Sequence, residues 1–568
     1  MQSHDTRELK DWVFRTFESM KAVRQKTEQA RWDAYAMMGF RTQDTKARNQ
    51  LITPTKLYSA RHKIFLQTMV NGIMANLISP NIKWFKFDTR GINGEKADDL
   101  PGAAVWMEDC ESREMQHFND SYFYSETKLA VKDALIGGTS FEIVYDDARN
   151  GRIIHDTLDP QDCWIDENDA HMVDTLVHDF TMTVHQCVDK FGYDKLPQKV
   201  RQLYDDKAYN KDVELLHMII PKDHIPADVR PNGIPVAKPV ASIWICVDAD
   251  EVFQVGGYST LPFAIHRWER DDATPYGIGL VMRIMPNLFE YQKLYRLYGV
   301  GVERQVNPVI YAPQALKGKF DYRPGAINYG NPQTDGAPVP INTVIDVQHA
   351  AERIMQLEAS LQQIFYNDLF SMLAAQDSVQ RTKYEVQRIE GRRLMLLSGI
   401  IGNMQVEKIN PLVKATLDIM MRNGQTLPIP QSMIQKTIAT DIFPVSVELN
   451  GLLAQNLKAY QQTIGLEDGI SAIALMGKIY PQCFVNFDFD EIARQYAIAK
   501  GLPKDCLYDK VKVMEIKRQM LAQQQALSNQ QQALNSSQVA KNLEGVNLDS
   551  MIEQSLGNYQ SPAGGLQR

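Results

Sequence analysis

No stretch of this chain approaches the ~18 consecutive apolar residues that a membrane-crossing helix requires. Its start, MQSHDTRELKDW, is charged and has no apolar segment, so no secretory signal is expected. Cysteine is scarce. Cys110, Cys163, Cys187, Cys246, Cys483 and Cys506 are scattered over 568 positions and form no CxxC pair. That pattern reads as reduced thiols in a chain made in a cytosol. Positive charge is not in excess either: the formal net charge is −8. A protein that grips DNA by its phosphates is usually basic in at least one domain. Tight nucleic-acid binding by the whole chain is therefore disfavoured, whereas loose passage of DNA is not. There is no GxxxxGK[ST], which excludes a P-loop ATPase in this chain, and no HExxH, GxSxG or kinase set. No enzymatic activity and no cofactor are expected.

What is present is a globular composition, 44% hydrophobic and 23% charged. The length suggests roughly three or four domains. Residues 6–38 carry Leu9, Trp12, Val13, Phe17, Met20 and Val23 at spacings of three and four, which predicts an amphipathic helix. A second helix is expected in SARHKIFLQTMVNGIMANLISP, with Ser59 as cap and Pro80 past its end. KWFKFDT alternates as a half-buried strand does. SETKLAVKDALIGG predicts a third helix, capped by Ser125 and stopped at Gly137–Gly138. Strand-like runs follow: SFEIVYD, RIIHDTL, CWIDEN, TLVHDFTM, VELLHMII and ASIWICVDADEVFQV. Together these form an α+β block that ends near Arg270.

The pattern then changes. PYGIGLVMRIMPNLFEYQKLYRLYGVGVERQV predicts a long helix weakened by Pro286 and Gly299. The next segment, to Val344, is dense in Pro, Gly and Asn and should be short strands and turns. Helix returns at Val347–Leu373, with Ala350, Ile354, Leu357, Leu361, Ile364, Phe365 and Met372 near heptad spacing. After AAQDSVQR, the sequence Thr382-Lys-Tyr-Glu385 matches a capping box, and a helix of about forty residues, or ~60 Å, should run to Gly424 with a kink at Pro411. Beyond lie a strand region near IFPVSVEL, helices in NLKAYQQTIGLEDGISAIALMG and DFDEIARQYAIAKGLP, a Gln-rich helix, and a tail expected to be disordered.

Four features bear on chemistry. Gly277-Ile-Gly279 resembles the start of a dinucleotide fingerprint, but Met282 stands where the third glycine belongs and no strand is expected before it. A glycine-rich lead into a helix is the better reading. His171 and His178 are seven apart, and core or exposed histidines outweigh metal ligands. The acidic runs at Asp166–Ala170 and at Asp488, Asp490 and Glu491 do not have EF-hand spacing. They read as a turn and as a helix cap with acidic first-turn residues. Tyr291, Lys293, Tyr295, Arg296, Tyr298 and Arg304 interleave aromatic and basic side chains. This could be a single-strand surface, and fits better a helix packing on copies of itself. No active site is visible. Two long helices flanking a small Pro/Gly-rich module suggest a stalk with a tip, and a ring of copies would bury its faces.

The segments SARHKIFLQTMVNGIMANLISPNIKWFKF, VKDALIGGTSFEIVY, PYGIGLVMRIMPNLFEYQKL, NPVIYAPQALKGKFDYRPGAINY, TKYEVQRIEGRRLML and NPLVKATLDIMMRNG occur in this order. In them the chain resembles the portal (head-to-tail connector) proteins of short-tailed, podovirus-type bacteriophages. The resemblance implies a helix-rich α+β portal fold with wing, stem, clip and crown, assembled as a ring, dodecameric in that family. It places the wing at 1–275, stem helices at 276–305 and 346–373, and the clip at 306–345. It places a tunnel loop at 374–381, a long wing helix at 382–424 and a crown at 425–510. The Gln-rich helix, 511–545, would form a C-terminal barrel, and 546–568 the tail.

The resemblance further implies a DNA-channel loop of Gln376, Asp377, Ser378, Val379, Gln380 and Arg381, ended by the Thr382–Glu385 cap. Stem self-association would involve Tyr291, Leu294, Tyr295, Tyr298, Ile354, Leu357, Leu361 and Ile364. Clip contacts to terminase or tail would involve Lys317, Lys319, Asp321, Tyr322 and Arg323. The implied partners are further copies of the chain, double-stranded phage DNA, the terminase large subunit, tail adaptor proteins, and capsid and scaffolding proteins, with no membrane. The implied location is the capsid portal vertex of the virion, after synthesis in the host bacterial cytoplasm. The alternatives are a metal-dependent nucleic-acid enzyme of the packaging machinery, which needs carboxylates converging in a pocket, and a virion adaptor or scaffold protein.

Overall fold

The computed structural model describes residues 3–40, 57–88, 100–147, 151–231, 234, 238–318, 320–321, 323, 326–329, 331–341, 347–368, 370, 399, 401–440, 445–450, 469–476, 478, 480–499 and 510–544. They belong to two compact units, Met1–Lys458 and Ala459–Arg568.

In the first unit, α1 (Ser3–Met38) serves two cores. Its Leu9, Val13, Phe17 and Met20 pack with Val177, Met218 and Ile243 of the larger sheet. Its Trp32, Tyr35 and Met38 enter the main helical core. The apolar stripe read from the sequence is therefore real, but its two ends face different partners. α2 (Arg61–Leu77) and α4 (Phe123–Gly137) occur as expected, with corrected caps. Ala60 is the N-cap of α2, while the Ser59 hydroxyl accepts from the Arg61 amide at 3.4 Å and lies 3.0 Å from the Tyr291 hydroxyl. α4 begins before Ser125, and the hydroxyl of Ser121 accepts from the Phe123 amide at 3.3 Å. α3 (Ala103–Asp120) lies between them and packs on β1 (Phe85–Asp88).

The strand-like runs form two antiparallel sheets. β2 (Thr139–Asp147) is central between β3 (Arg152–Thr157) and β9 (Phe263–Arg267). The larger sheet has β4 (Cys163–Glu167), β5 (Val173–Thr183), β6 (Asp212–Pro221), β7 (Val240–Cys246) and β8 (Glu251–Tyr258) in that order. α5 (Val184–Phe191) and α6 (Gln198–Asp205) are inserted between β5 and β6. The single run ASIWICVDADEVFQV splits into β7 and β8, because Asp250 adopts φ 54° and reverses the chain.

A short hairpin, β10 (Glu269–Arg270) with β11 (Gly277–Ile278), explains the glycine pair. A Cβ on Gly277 would sit 2.3 Å from the Gly138 carbonyl oxygen, and one on Gly279 would sit 2.5 Å from that of Ile136. Gly138 itself ends α4 at φ +87°. These glycines let two backbones cross. Helix then starts at Leu280 as α7 (Leu280–Arg283), breaks at Ile284, and resumes as α8 (Met285–Val306) with Pro286 in its first turn. The long helix expected from 276 is thus shorter, because Pro286 is a helix starter here and not a mid-helix fault.

Residues 307–341 contain β12 (Ile310–Tyr311), a one-turn α9 (Pro332–Asp335) and β13 (Val339–Pro340), the strands-and-turns segment expected. α10 spans Val347–Ile364, shorter than the expected helix to Leu373, and Tyr366 at φ 52° interrupts it. The first half of the long helix expected from Thr382 falls outside the described residues, apart from Gly399. Its second half is present as a π-helical turn, Met404–Ile409, followed by α11 (Asn410–Arg422) and Gly424 at φ +65°. Pro411 lacks an amide and crowds the preceding turn, and the π turn is how the helix accommodates it. β14 (Ser446–Leu449) pairs with β1, joining segments more than 350 residues apart.

In the second unit, 469–476 are helical, followed by a 3-10 segment (Pro481–Asn486), α12 (Phe489–Ala499) and α13 (Lys510–Glu544). The Asp488 carboxylate accepts from the amides of Asp490 and Glu491, both at 3.1 Å, which makes the acidic run a helix cap.

Candidate functional site

α8 and α10 lie against each other and carry the 307–341 tip between them. Tyr291, Ile354, Leu357 and Leu361 are buried in the chain's own main core, and Leu294, Tyr295, Tyr298 and Ile364 pack partly buried against it. Within one chain these eight, expected from the sequence to make contacts between copies, close the seam between α8, α10 and the main core. Spacing of three and four marks a buried stripe without telling which partner covers it. The apolar residues that the pair leaves open are Phe289 and Leu297, 53% and 54% exposed, with Val300 and Met355.

The tyrosines turn inward because a carboxylate waits there. Tyr291 donates to Glu358 Oε1 at 2.7 Å, and Tyr295 donates to the same oxygen at 3.4 Å. Arg61 also pairs with Glu358. Burial pushes the Tyr291 phenol well above its usual range, so it remains a donor. The next residue, Gln292, accepts at Oε1 from the amides of Tyr58 (2.8 Å) and Ser59 (3.1 Å), and its Nε2 donates to the Ser59 carbonyl at 2.9 Å. This polar network fixes the base of the helix pair to the start of α2. On the outer side, Arg353 donates to Glu290 at 2.9 Å.

The tip is built differently. β12 and β13 pair over two residues, Ile310 with Pro340 and Tyr311 with Val339. Arg323 grips the Asp321 carboxylate, with Nη2 to Oδ2 at 2.6 Å, and this holds the carboxyl below its usual range. Lys317 is described in a turn, while Lys319 and Tyr322 lie outside the described residues. Val309, Tyr311, Ile327 and Val339 are exposed and Tyr329 is 93% exposed. Charge did not single out this apolar surface.

The expected channel residues Gln376, Asp377, Ser378, Val379, Gln380 and Arg381, and the cap Thr382 and Glu385, lie outside the described residues. Downstream of them, the π turn plants two charged residues in the body. Glu407 Oε1 accepts from Arg267 Nε at 2.9 Å and Nη2 at 2.5 Å, and Arg267 also donates to Glu167 Oε2 at 2.7 Å. Lys408 pairs with Glu142, both buried. Burial pushes the Lys408 ammonium well below its usual range, with Asp133 nearby opposing the shift. Sequence reading missed this anchor. The only signal was Pro411, a few residues on.

His171 sits on an exposed turn with Nδ1 3.0 Å from Glu167, whereas His178 stacks on Phe180 with ring centroids 4.1 Å apart. The two do not meet. Among the described residues no group of three or more His, Cys, Asp or Glu side chains could hold a metal ion. No described helix is long and apolar enough to cross a membrane.

Residues 11–507 match the family described as bacteriophage head to tail connecting protein. The chain is 25% identical over 466 residues to a probable portal protein of Bordetella phage BPP-1, covering 81% of each chain. It is 23% identical over 498 residues to the portal protein of Salmonella phage epsilon15, covering 85% of this chain and 84% of the relative. A match over most of the length assigns the chain to the bacteriophage head-to-tail connecting protein family.

Proposed function

We propose that this protein is a phage portal: the ring at one capsid vertex through which double-stranded DNA is packaged by a terminase and later released, and onto which the tail attaches. The observation that carries the reading is the end-to-end similarity to two portal proteins, over more than four fifths of each. The helix pair supports it. Its base is wired to the body by Glu358 and Gln292, while Phe289, Leu297, Val300 and Met355 stay open for a neighbouring copy.

In this reading the body up to residue 275 with 382–424 is the wing, α8 and α10 are the stem, and 306–345 is the clip. Residues 374–381 are the loop facing DNA, 425–510 the crown, and α13 a C-terminal barrel. The ring is dodecameric. The clip meets terminase and tail adaptor through its exposed apolar surface and the Asp321–Arg323 pair, and the capsid surrounds the wing. The net charge of −8, multiplied over the ring, disfavours adhesion of a polyanion to most of the wall.

Mass photometry and negative-stain microscopy of the purified protein test this. A ring of about a dozen copies with a central hole is expected from closed cyclic symmetry. A compact monomer at micromolar concentration overturns it. Deleting 310–340 should leave folded subunits that fail to engage terminase or tail.

A further inference from the structure

A cavity of about 340 Å³ lies in the first unit, away from the helix pair and the tip. It sits between the larger sheet, the β2–β3 hairpin and the last turns of α11. Its size is at the lower end of the ~300–1,000 Å³ usual for small-molecule sites. The floor is a cross-strand row: His178 is opposite His217, His217 opposite Trp244, and Trp244 opposite Gln254. His217 and Trp244 stack with centroids 3.7 Å apart, and the His217 ring lies 2.9 Å from the Ser242 hydroxyl, which holds the row rigid.

Two oppositely charged groups on the walls attract each other without forming an ion pair. The Lys190 ammonium lies 4.9 Å from the Trp244 ring and 5.2 Å from that of Tyr145, and makes no ion pair among the described residues. The Asp156 side chain has no hydrogen-bond partner among them, and burial holds its carboxyl above the usual range against the attraction of Lys190. The remaining charges are matched. Asp418 pairs with Arg422 at 3.1 Å, and Asp146 accepts from Asn423 at 3.2 Å.

This pattern restricts the ligand. A phosphate would meet Asp146, Asp156 and Asp418. A free cation would meet Lys190 and Arg422. A neutral molecule with an acceptor for Lys190 and a donor for Asp156 satisfies both, and a ring-lined wall suits a flat body. We infer that this cavity binds a small, neutral, planar molecule carrying both donors and acceptors, of the size and chemistry of a nucleobase or nucleoside.

The test uses the full-length protein and acetylation of lysines by an amine-reactive ester, read by mass spectrometry. Adenosine, cytidine and adenosine 5′-monophosphate serve as probes. A nucleoside at millimolar concentration should protect Lys190 saturably and leave the distant Lys207 unprotected. Asp156→Asn and Asp156→Ala should each weaken protection about fivefold, the loss of one hydrogen bond. Which of the two nucleosides protects better reports the ring system. The inference is overturned if neither protects Lys190 or shifts the melting temperature, which leaves a water-filled cavity. It is equally overturned if the monophosphate protects better than adenosine, or if both variants protect like the parent. Circular dichroism of the variants separates lost binding from lost folding.

Discussion

Two arginines are equally deep in the first unit and differently held. Arg267 is 2% exposed and donates to Glu407, Glu167 and the carbonyls of His171 and Pro275. Arg31 is 1% exposed, lies 4.7 Å over the Tyr276 ring, and its guanidinium nitrogens have no hydrogen-bond partner among the described residues. Burial, then repulsion from Arg24, pushes the Arg31 guanidinium below its usual range. The contrast teaches that burial of a charge is not by itself an anchor. Around Arg267 the charge joins the π turn, β9 and the β4–β5 turn, segments scattered along the chain. Around Arg31 the side chain is mainly packing, and its charge is a cost that cation–π contact offsets in part.

The largest expected effect comes from breaking a matched buried pair. Lys408→Ala leaves the Glu142 carboxylate buried without its partner and should cost about 3–5 kcal/mol in denaturant unfolding, with Arg267→Met somewhat less because Glu407 and Glu167 are partly exposed. Lys408→Met combined with Glu142→Gln should recover most of that loss. A double variant as unstable as the single one would show that packing, not charge, holds the π turn.

Acid should act next. Burial lowers His155 and His178 to about 3 and His266 to about 4, from 6.5. The unfolded chain therefore binds more protons than the folded one below pH 6.5. Stability is full above 6.5 and declines as pH falls toward 3–4, by up to about 1.4 kcal/mol per pH unit for each histidine. Replacing His155, which packs edge-on to Phe118 and Phe123, by Phe should flatten the decline and shift the acid midpoint down. An unchanged acid profile would remove His155 from the account.

Arg31→Met should be neutral or stabilising by about 1 kcal/mol, since it keeps the volume over Tyr276 and removes an unmatched charge. A loss as large as that of Arg267→Met would mean that Arg31 has a partner in solution. The smallest effect is expected at the tip. Tyr329→Ser should change unfolding free energy by less than about 0.5 kcal/mol, while lowering binding of whichever phage component docks there, measured by co-sedimentation.

Local pattern carried much of the fold. The stripe of α1, the strand runs, the Pro/Gly-rich tip, Gly138, Gly424 and the Asp488 cap were legible because each depends on a few neighbouring residues. The cap of α2 falls one residue past Ser59 and α4 begins before Ser125, since a serine hydroxyl near a helix start has other partners available in three dimensions, here Tyr291 for Ser59. The break at Ile284 was misread because a proline starts a helix as readily as it weakens one. The site was less legible. The row of tyrosines on α8 was visible, but the side on which Glu358 waits was not, because Glu358 lies 67 residues beyond Tyr291.

By itself the sequence determined where helices, strands and turns form, the absence of a catalytic signature, and the order of segments that ties this chain to its family. Those follow from periodicity, backbone preference and local chemistry. Only the tertiary structure decided which face of each helix is covered, that β1 pairs with β14, and that Glu407 and Lys408 anchor the π turn. It alone separated the matched arginine from the unmatched one. Each of these depends on groups brought together from distant parts of the chain, and a buried charge stabilises or destabilises according to what meets it there.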